Sequence, residues 1–103
     1  MRMMMRVGMD TERANEAARN GTLASTIKSI LDDLQPESAH FIAADGRRTG
    51  VITFDIEDES QIPAAAEPWF LAFDATVSAT PAMTVEDLAK GGDGMQKAVD
   101  NWG

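Results

Sequence analysis

Nothing in this chain constrains its fold more than the stretch SAHFIAADGRRTGVITFDI, residues 38–56. Two runs rich in β-branched and aromatic residues flank Asp45-Gly46, a dipeptide that tolerates positive φ and so suits a tight hairpin turn. With a two-residue loop, Ala44 pairs with Arg47, Phe41 with Gly50 and His40 with Val51. A four-residue loop slides the pairing by two and leaves every side chain on the same face. Ala39, Phe41, Ile52 and Phe54 therefore share one face, opposite His40, Ile42, Thr53 and Asp55. The first set is apolar and belongs against helices.

The remaining elements fit around that hairpin. Met3 to Met9 alternates about Met4, Arg6 and Gly8 and reads as a first strand. Asp10 or Thr11 then caps a helix, with Glu12 in its first turn. Asn20-Gly21 interrupts it, and Thr22 is placed to cap a second segment. There, Leu23, Ile27, Ile30, Leu31 and Leu34 recur at the spacing of one buried helical face, up to Gln35-Pro36.

After an acidic, polar bridge at 57–61, residues 62–73 form a helix in which Ile62, Ala65, Ala66, Trp69, Phe70 and Phe73 make a stripe facing the sheet. Pro63 fits the first turn, where its missing N–H has no partner to lose. Pro68 lies inside the helix and predicts a kink or a restart. ATVSATPAM alternates as a fourth strand, with Ala75, Val77 and Ala79 on one face and Thr76, Ser78 and Thr80 on the other. Thr84 and Asp87 resemble a capping box. A glycine-rich break at 91–94 precedes a short amphipathic tail ending in Trp102.

The order strand, helix, strand, strand, helix, strand is the split βαβ pattern of a ferredoxin-like α+β sandwich with a four-stranded antiparallel sheet. Residues 1–83 make that domain, and residues 84–103 are its C-terminal helical extension. At 103 residues the chain has length for one core.

Composition removes several kinds of chemistry. There is no cysteine, which excludes disulfides, zinc-thiolate sites and cysteine nucleophiles and fits a reducing, cytoplasmic setting. Arg6 interrupts the apolar run of MRMMMRVGMD, so that stretch reads as a strand rather than a signal peptide. No segment approaches the roughly 20 apolar residues of a membrane span. The net charge of −8, spread along the chain, repels phosphate backbones and argues against a nucleic-acid partner. Arg47 and Arg48 read as a pair in a turn rather than a patch. The carboxylates of DIEDES, 55–60, lack the glycine and spacing of a calcium loop and read as a solvated bridge. Neither DGRRTG nor GGDG leads from a strand into a helix with phosphate-loop spacing. No cofactor and no metal is expected.

The polar face of the sheet collects the candidate site residues. Arg6, His40, Thr53 and Asp55 share it with Thr76, Ser78 and Thr80. Since strands one and three are neighbours in such a sheet, Arg6 and Asp55 are expected within reach of each other. The same face carries Met4, Ile42 and Val51, more apolar surface than a fully solvated face needs. A second subunit covering it would make a closed barrel with a partly polar interior. His40, the only histidine, is either a hydrogen-bonded structural residue beside Thr53 and Asp55, or a general base or axial haem ligand, the structural role being favoured. Arg6 either pairs with a carboxylate or holds an acidic ligand. Glu67 is either solvated or at the mouth of a helix–sheet cleft, and Trp69 either fills the core or walls a pocket.

This pattern resembles the dimeric α/β-barrel superfamily over residues 3 to 83, and within it a small bacterial branch with no assigned reaction. The branch resemblance rests on NGTLASTIKSIL, DGRRTGVITFDI, IPAAAEPWFLAF and ATPAMTVEDLAK. The resemblance implies ferredoxin-like monomers paired through their sheet faces, and no particular reaction, because one fold hosts many. No catalytic residue is carried over from it. The leading expectation is a homodimer that binds a small organic ligand or acts as an accessory factor. The alternatives are a small cofactor-independent monooxygenase- or isomerase-like enzyme using His40 as base, Arg6 to hold an anionic intermediate and Trp69 as a pocket wall, and a structural interaction module that docks through Trp102.

Overall fold

The structure, a computed structural model, describes residues 1–103. Strand β1 (Arg2–Gly8) is followed by helices α1 (Thr11–Arg19) and α2 (Leu23–Leu34), then by the hairpin of β2 (Ser38–Ala44) and β3 (Arg47–Asp55). A 3-10 turn at Glu59–Gln61 leads into α3 (Ile62–Phe73), β4 (Thr76–Pro81), α4 (Val85–Lys90) and α5 (Gly92–Trp102). The strands form one antiparallel sheet in the order β2-β3-β1-β4. This α+β arrangement is compatible with a ferredoxin-like sandwich.

The hairpin has the two-residue register, with Ala44 opposite Arg47, Phe41 opposite Gly50 and His40 opposite Val51. Asp45 and Gly46 both take positive φ, 54° and 73°, the backbone that a type I′ turn requires. Gly50 leaves room for a ring on the neighbouring strand. A Cβ there would stand 3.0 Å from the Phe41 ring, which lies across it.

Alternation along β1 buries Met3, Met5 and Val7, and Met9 follows them into the core with Ile52, Phe54 and Ile56. From α3 come Ala65, Ala66, Trp69 and Phe73. Trp69 and Phe73 pack as a tilted aromatic pair with ring centroids 6.2 Å apart, a geometry that aromatic quadrupoles favour. Phe70 departs from the expected stripe. It is 41% exposed, because the buried arc of α3 closes over positions 65, 66, 69 and 73 and leaves position 70 at its edge.

Helix α3 runs unbroken through Pro68, so the expected restart does not occur. The proline still leaves the Ala64 carbonyl without its intrahelical donor. At the C-terminal end, Asp74 takes φ 46° and its N–H bonds back to the Phe70 and Trp69 carbonyls. Arg13 of α1 completes that end. It donates to Asp74 Oδ2 at 2.9 Å and to the Leu71 and Ala72 carbonyls at 3.2 and 3.1 Å.

Two caps follow expectation and one does not. Asp10 accepts from the Arg13 N–H at 3.0 Å, and Thr84 and Asp87 form a reciprocal capping box. Thr22 occupies the N-cap position of α2 without a capping hydrogen bond, because its hydroxyl donates to Asn20 Oδ1 instead. Helix α2 buries none of its residues fully. Leu23, Ile27, Ile30, Leu31 and Leu34 lie half-covered against the core. No helix is long and apolar enough to cross a membrane.

Candidate functional site

The register arranges the open face of the sheet in rows. One row reads Ser78, Arg6, Val51, His40, and the next toward the hairpin turn reads Thr76, Gly8, Thr49, Ile42. On the other side lies Thr80, Met4, Thr53, Ser38. Polar groups from β1, β3 and β4 thus meet near the turn, while Met4, Val51 and Ile42 make the face partly apolar. Met4 and Ile42 are each more than 40% exposed.

A concavity of about 320 Å³ opens in this polar corner, lined by Arg6, Gly8, Asp45, Arg47, Thr49, Thr76 and Ser78, with Ala44 its one hydrophobic wall. Gly8 forms part of the floor, and the Arg47 side chain lies beside it, its Cδ 3.9 Å from where a Gly8 Cβ would stand. Arg47 Nη1 donates to the Thr76 hydroxyl at 3.3 Å. Arg6 Nη2 lies 3.3 Å from Asp45 Oδ2, and the positive-φ turn is what presents that carboxylate. The buried Thr49 hydroxyl is anchored on the Arg47 and Ala44 carbonyls at 3.2 and 3.4 Å.

Two guanidiniums, one carboxylate and three hydroxyls therefore converge, in a chain with 17 acidic and nine basic side chains. Arg47 makes no ion pair. Its planar fork and permanent charge suit a carboxylate or a phosphate-like anion.

No family model and no curated protein matches this chain. The case for function accordingly rests on these side chains.

Of the residues singled out from the sequence, Arg6 lies in this site and the others are dispersed. Arg6 and Asp55 do not pair. Asp55 faces Arg2 across the strands, while Arg6 faces Val51. Four residues of strand separate Arg6 from Asp55, about 13 Å. Asp55 instead lies 2.9 Å from the Met1 amine. His40 shares the row of Arg6 but Val51 stands between them, about 10 Å over two strand spacings. The His40 side chain is exposed and makes no hydrogen bond, so neither a structural bond to Thr53 or Asp55 nor an orienting partner for a base is formed. Thr53 lies one row further on, between Met4 and Ser38. Glu67 is on the exposed side of α3. Trp69 is 0% exposed and fills the core; it walls none of the cavities.

Arg47 was legible and passed over. It has the same parity as Thr49, Val51, Thr53 and Asp55, so alternation alone sends it to the open face, while Arg48 turns the other way to Asn15. Reading the two arginines as one turn feature concealed that split.

A second cleft of about 390 Å³ lies between α2, α3 and the end of β3, lined by Ile30, Leu34, Ile56, Ala64, Ala65 and Pro68 with Asp33, Asp55 and Gln61. Although larger, it is the poorer site. Its carboxylates only accept, Asp55 is engaged by an amine, and Gln61 Oε1 accepts from the Glu57 N–H at 2.6 Å. No three histidine, aspartate or glutamate side chains converge anywhere as metal ligands would.

Proposed function

We propose that this protein is a homodimer of the dimeric α/β-barrel type that binds a small organic anion between its two sheets. The observation that carries the reading is the convergence of Arg6 and Arg47 with Thr49, Thr76 and Ser78 on a sheet face that also carries exposed Met4 and Ile42. A solvated sheet has no need of that apolar surface. A partner sheet laid over it would bury Met4, Val51 and Ile42 and enclose the arginine corner, strengthening every charge-assisted bond made there. The strand order β2-β3-β1-β4 supports the same reading. Binding is the whole of the activity proposed, since the corner's one carboxylate, Asp45, is paired with Arg6 and His40 lies outside the corner.

The test uses benzoate as a probe carboxylate, followed through amide shifts in isotope-labelled protein. Saturable shifts at Gly8, Thr49, Thr76 and Ser78 are expected, and Arg47→Ala should weaken binding roughly tenfold, or about 1.4 kcal/mol. Equal affinity of the wild type and Arg47→Ala would remove the site. Separately, Met4→Glu with Val51→Glu should give a monomer in sedimentation velocity at micromolar concentration. A dimer that survives both changes would remove the sheet-to-sheet contact.

A further inference from the structure

The C-terminal arm is the least explained part of the molecule. Helices α4 and α5 bury no residue. The chain extends 59 Å along its longest axis against 29 and 20 Å across, with a radius of gyration of 17.1 Å. A compact chain of this length would have about 13 Å. Its accessible surface is 6938 Å², against roughly 5,700 Å² for a compact monomer of this mass. The surplus, on the order of 1,200 Å², exceeds the roughly 800 Å² that each partner contributes to a standard interface.

That surface has a pattern. Met95, Ala98, Val99 and Trp102 fall within one arc of α5 of about 100° at helical spacing. Asp93, Gln96, Lys97 and Asp100 occupy the rest. Trp102 is 89% exposed, an expensive position for so large an apolar side chain unless something covers it. Val85 and Leu88 extend the apolar surface onto α4, and both are exposed.

The sandwich carries an apolar trough of matching kind at its far edge. Between α2 and β2 lies a groove of about 360 Å³ lined by Met9, Leu23, Ile27, Phe41, Ala43 and Arg48 among others. A shallower hollow of about 370 Å³ continues it along α2, sharing Leu23 and Ile27. Phe41 belongs to the core-facing side of the sheet yet is 44% exposed, because α2 does not reach over it. Arg48 also lines the trough, while Asp93 and Asp100 stand on the opposite side of α5, so the seated arc is apolar and the acidic side stays in water.

The arm and the trough of one chain lie at opposite corners. The arm leaves from β4, beside Arg2, where the Ala82 N–H bonds the Arg2 carbonyl. The trough lies past β2 at the opposite edge, near Met9, whose N–H bonds the Arg48 carbonyl. The arm therefore projects away from its own trough. We infer that it is a clasp for a second copy of this chain, the apolar arc of α5 seating in the partner's α2–β2 trough as an amphipathic helix seats in a groove. The inference rests on the dimer proposed above, but not on its sheet contacts.

Trp102 reports the contact directly, its emission being isolated as the difference between the wild type and Trp102→Phe. At concentrations where the protein is dimeric, this emission should be blue-shifted and several-fold less quenched by acrylamide than after dilution to monomer. Phe41→Glu, at a half-exposed position, should return Trp102 to solvent. Mixing it with the arm variant Val99→Glu/Trp102→Phe should shield Trp102 again, since each copy supplies what the other lacks. Phe41→Ser serves in the same mixture if the glutamate perturbs the fold by circular dichroism.

A dimer with fully quenched Trp102 would remove the clasp and leave the sheet contact standing. Shielding in the monomer would place the arm on its own chain and overturn the inference. So would shielding in the dimer that neither Phe41 variant disturbs. A dimer of Met4→Glu/Val51→Glu, which spares the trough residue Ile42, would, if it keeps Trp102 shielded, retain the clasp and remove the sheet contact.

Discussion

Arg13 leaves α1 and closes the end of α3, where the last carbonyls of a helix otherwise lack donors. Its guanidinium serves two of them and the Asp74 carboxylate at once. It also opposes the negative end of the helix dipole. Because the group is partly exposed, solvent discounts the ion pair, and the hydrogen bonds carry most of the effect. Arg13→Ala should lower stability by about 1–2 kcal/mol, read as a shift in the urea midpoint at constant slope. Arg13→Lys should recover less than half, since one ammonium cannot span three acceptors in this geometry. Full recovery by lysine would mean that charge alone matters. This role was not visible in the sequence, where Arg13 is one more basic residue on a polar helix face. Trp69 shows the reverse. Its burial was readable from spacing, but its indole Nε1 finds no hydrogen-bond partner, which no pattern could have told.

Elements were legible where local chemistry sets them. Asp45-Gly46 located the hairpin and both sheet faces, because period-two alternation buries Ile52 and Phe54 together in either of two registers two residues apart; the choice of the two-residue loop came from the structure. The limits of α3 were readable from Pro63 and the aromatic stripe, whereas the fate of Pro68 depended on neighbours that hold the helix together. The Arg6–Asp55 pairing failed for a related reason. Knowing that β1 and β3 are adjacent does not give their offset, and the offset puts Arg2 opposite Asp55.

At α4 the capping box was readable and carries a pH dependence. The Thr84 backbone N–H, and then its hydroxyl, hold the Asp87 carboxyl below its ordinary value of 3.8. A lowered folded pKa means that the contribution is complete above about 3.8 and is lost as pH falls through the folded value. The Cα shifts of Val85–Lys90 should therefore move toward coil in that acid range, and Asp87→Asn should abolish the movement. A transition centred above 4 in the wild type would refute the assignment to Asp87.

For the whole molecule, charge and association pull in opposite directions. Each chain carries −8, so bringing two together is opposed by long-range repulsion that salt screens. The contacts proposed for the dimer are chiefly apolar, through Met4, Val51 and Ile42 on the sheet and Val99 and Trp102 on the arm, and salt does not weaken these. The anion site works the other way, since its attraction comes from Arg6 and Arg47 and is screened with everything else. Raising the ionic strength from roughly 20 to 300 mM, a fall in Debye length from about 20 to about 6 Å, should therefore tighten the dimer several-fold and loosen benzoate. Sedimentation equilibrium and the amide titration read the two slopes on the same samples. If both constants weakened together, the interface would be held by ion pairs. The apolar faces on which both the barrel and the clasp are built would then have to be explained by another partner.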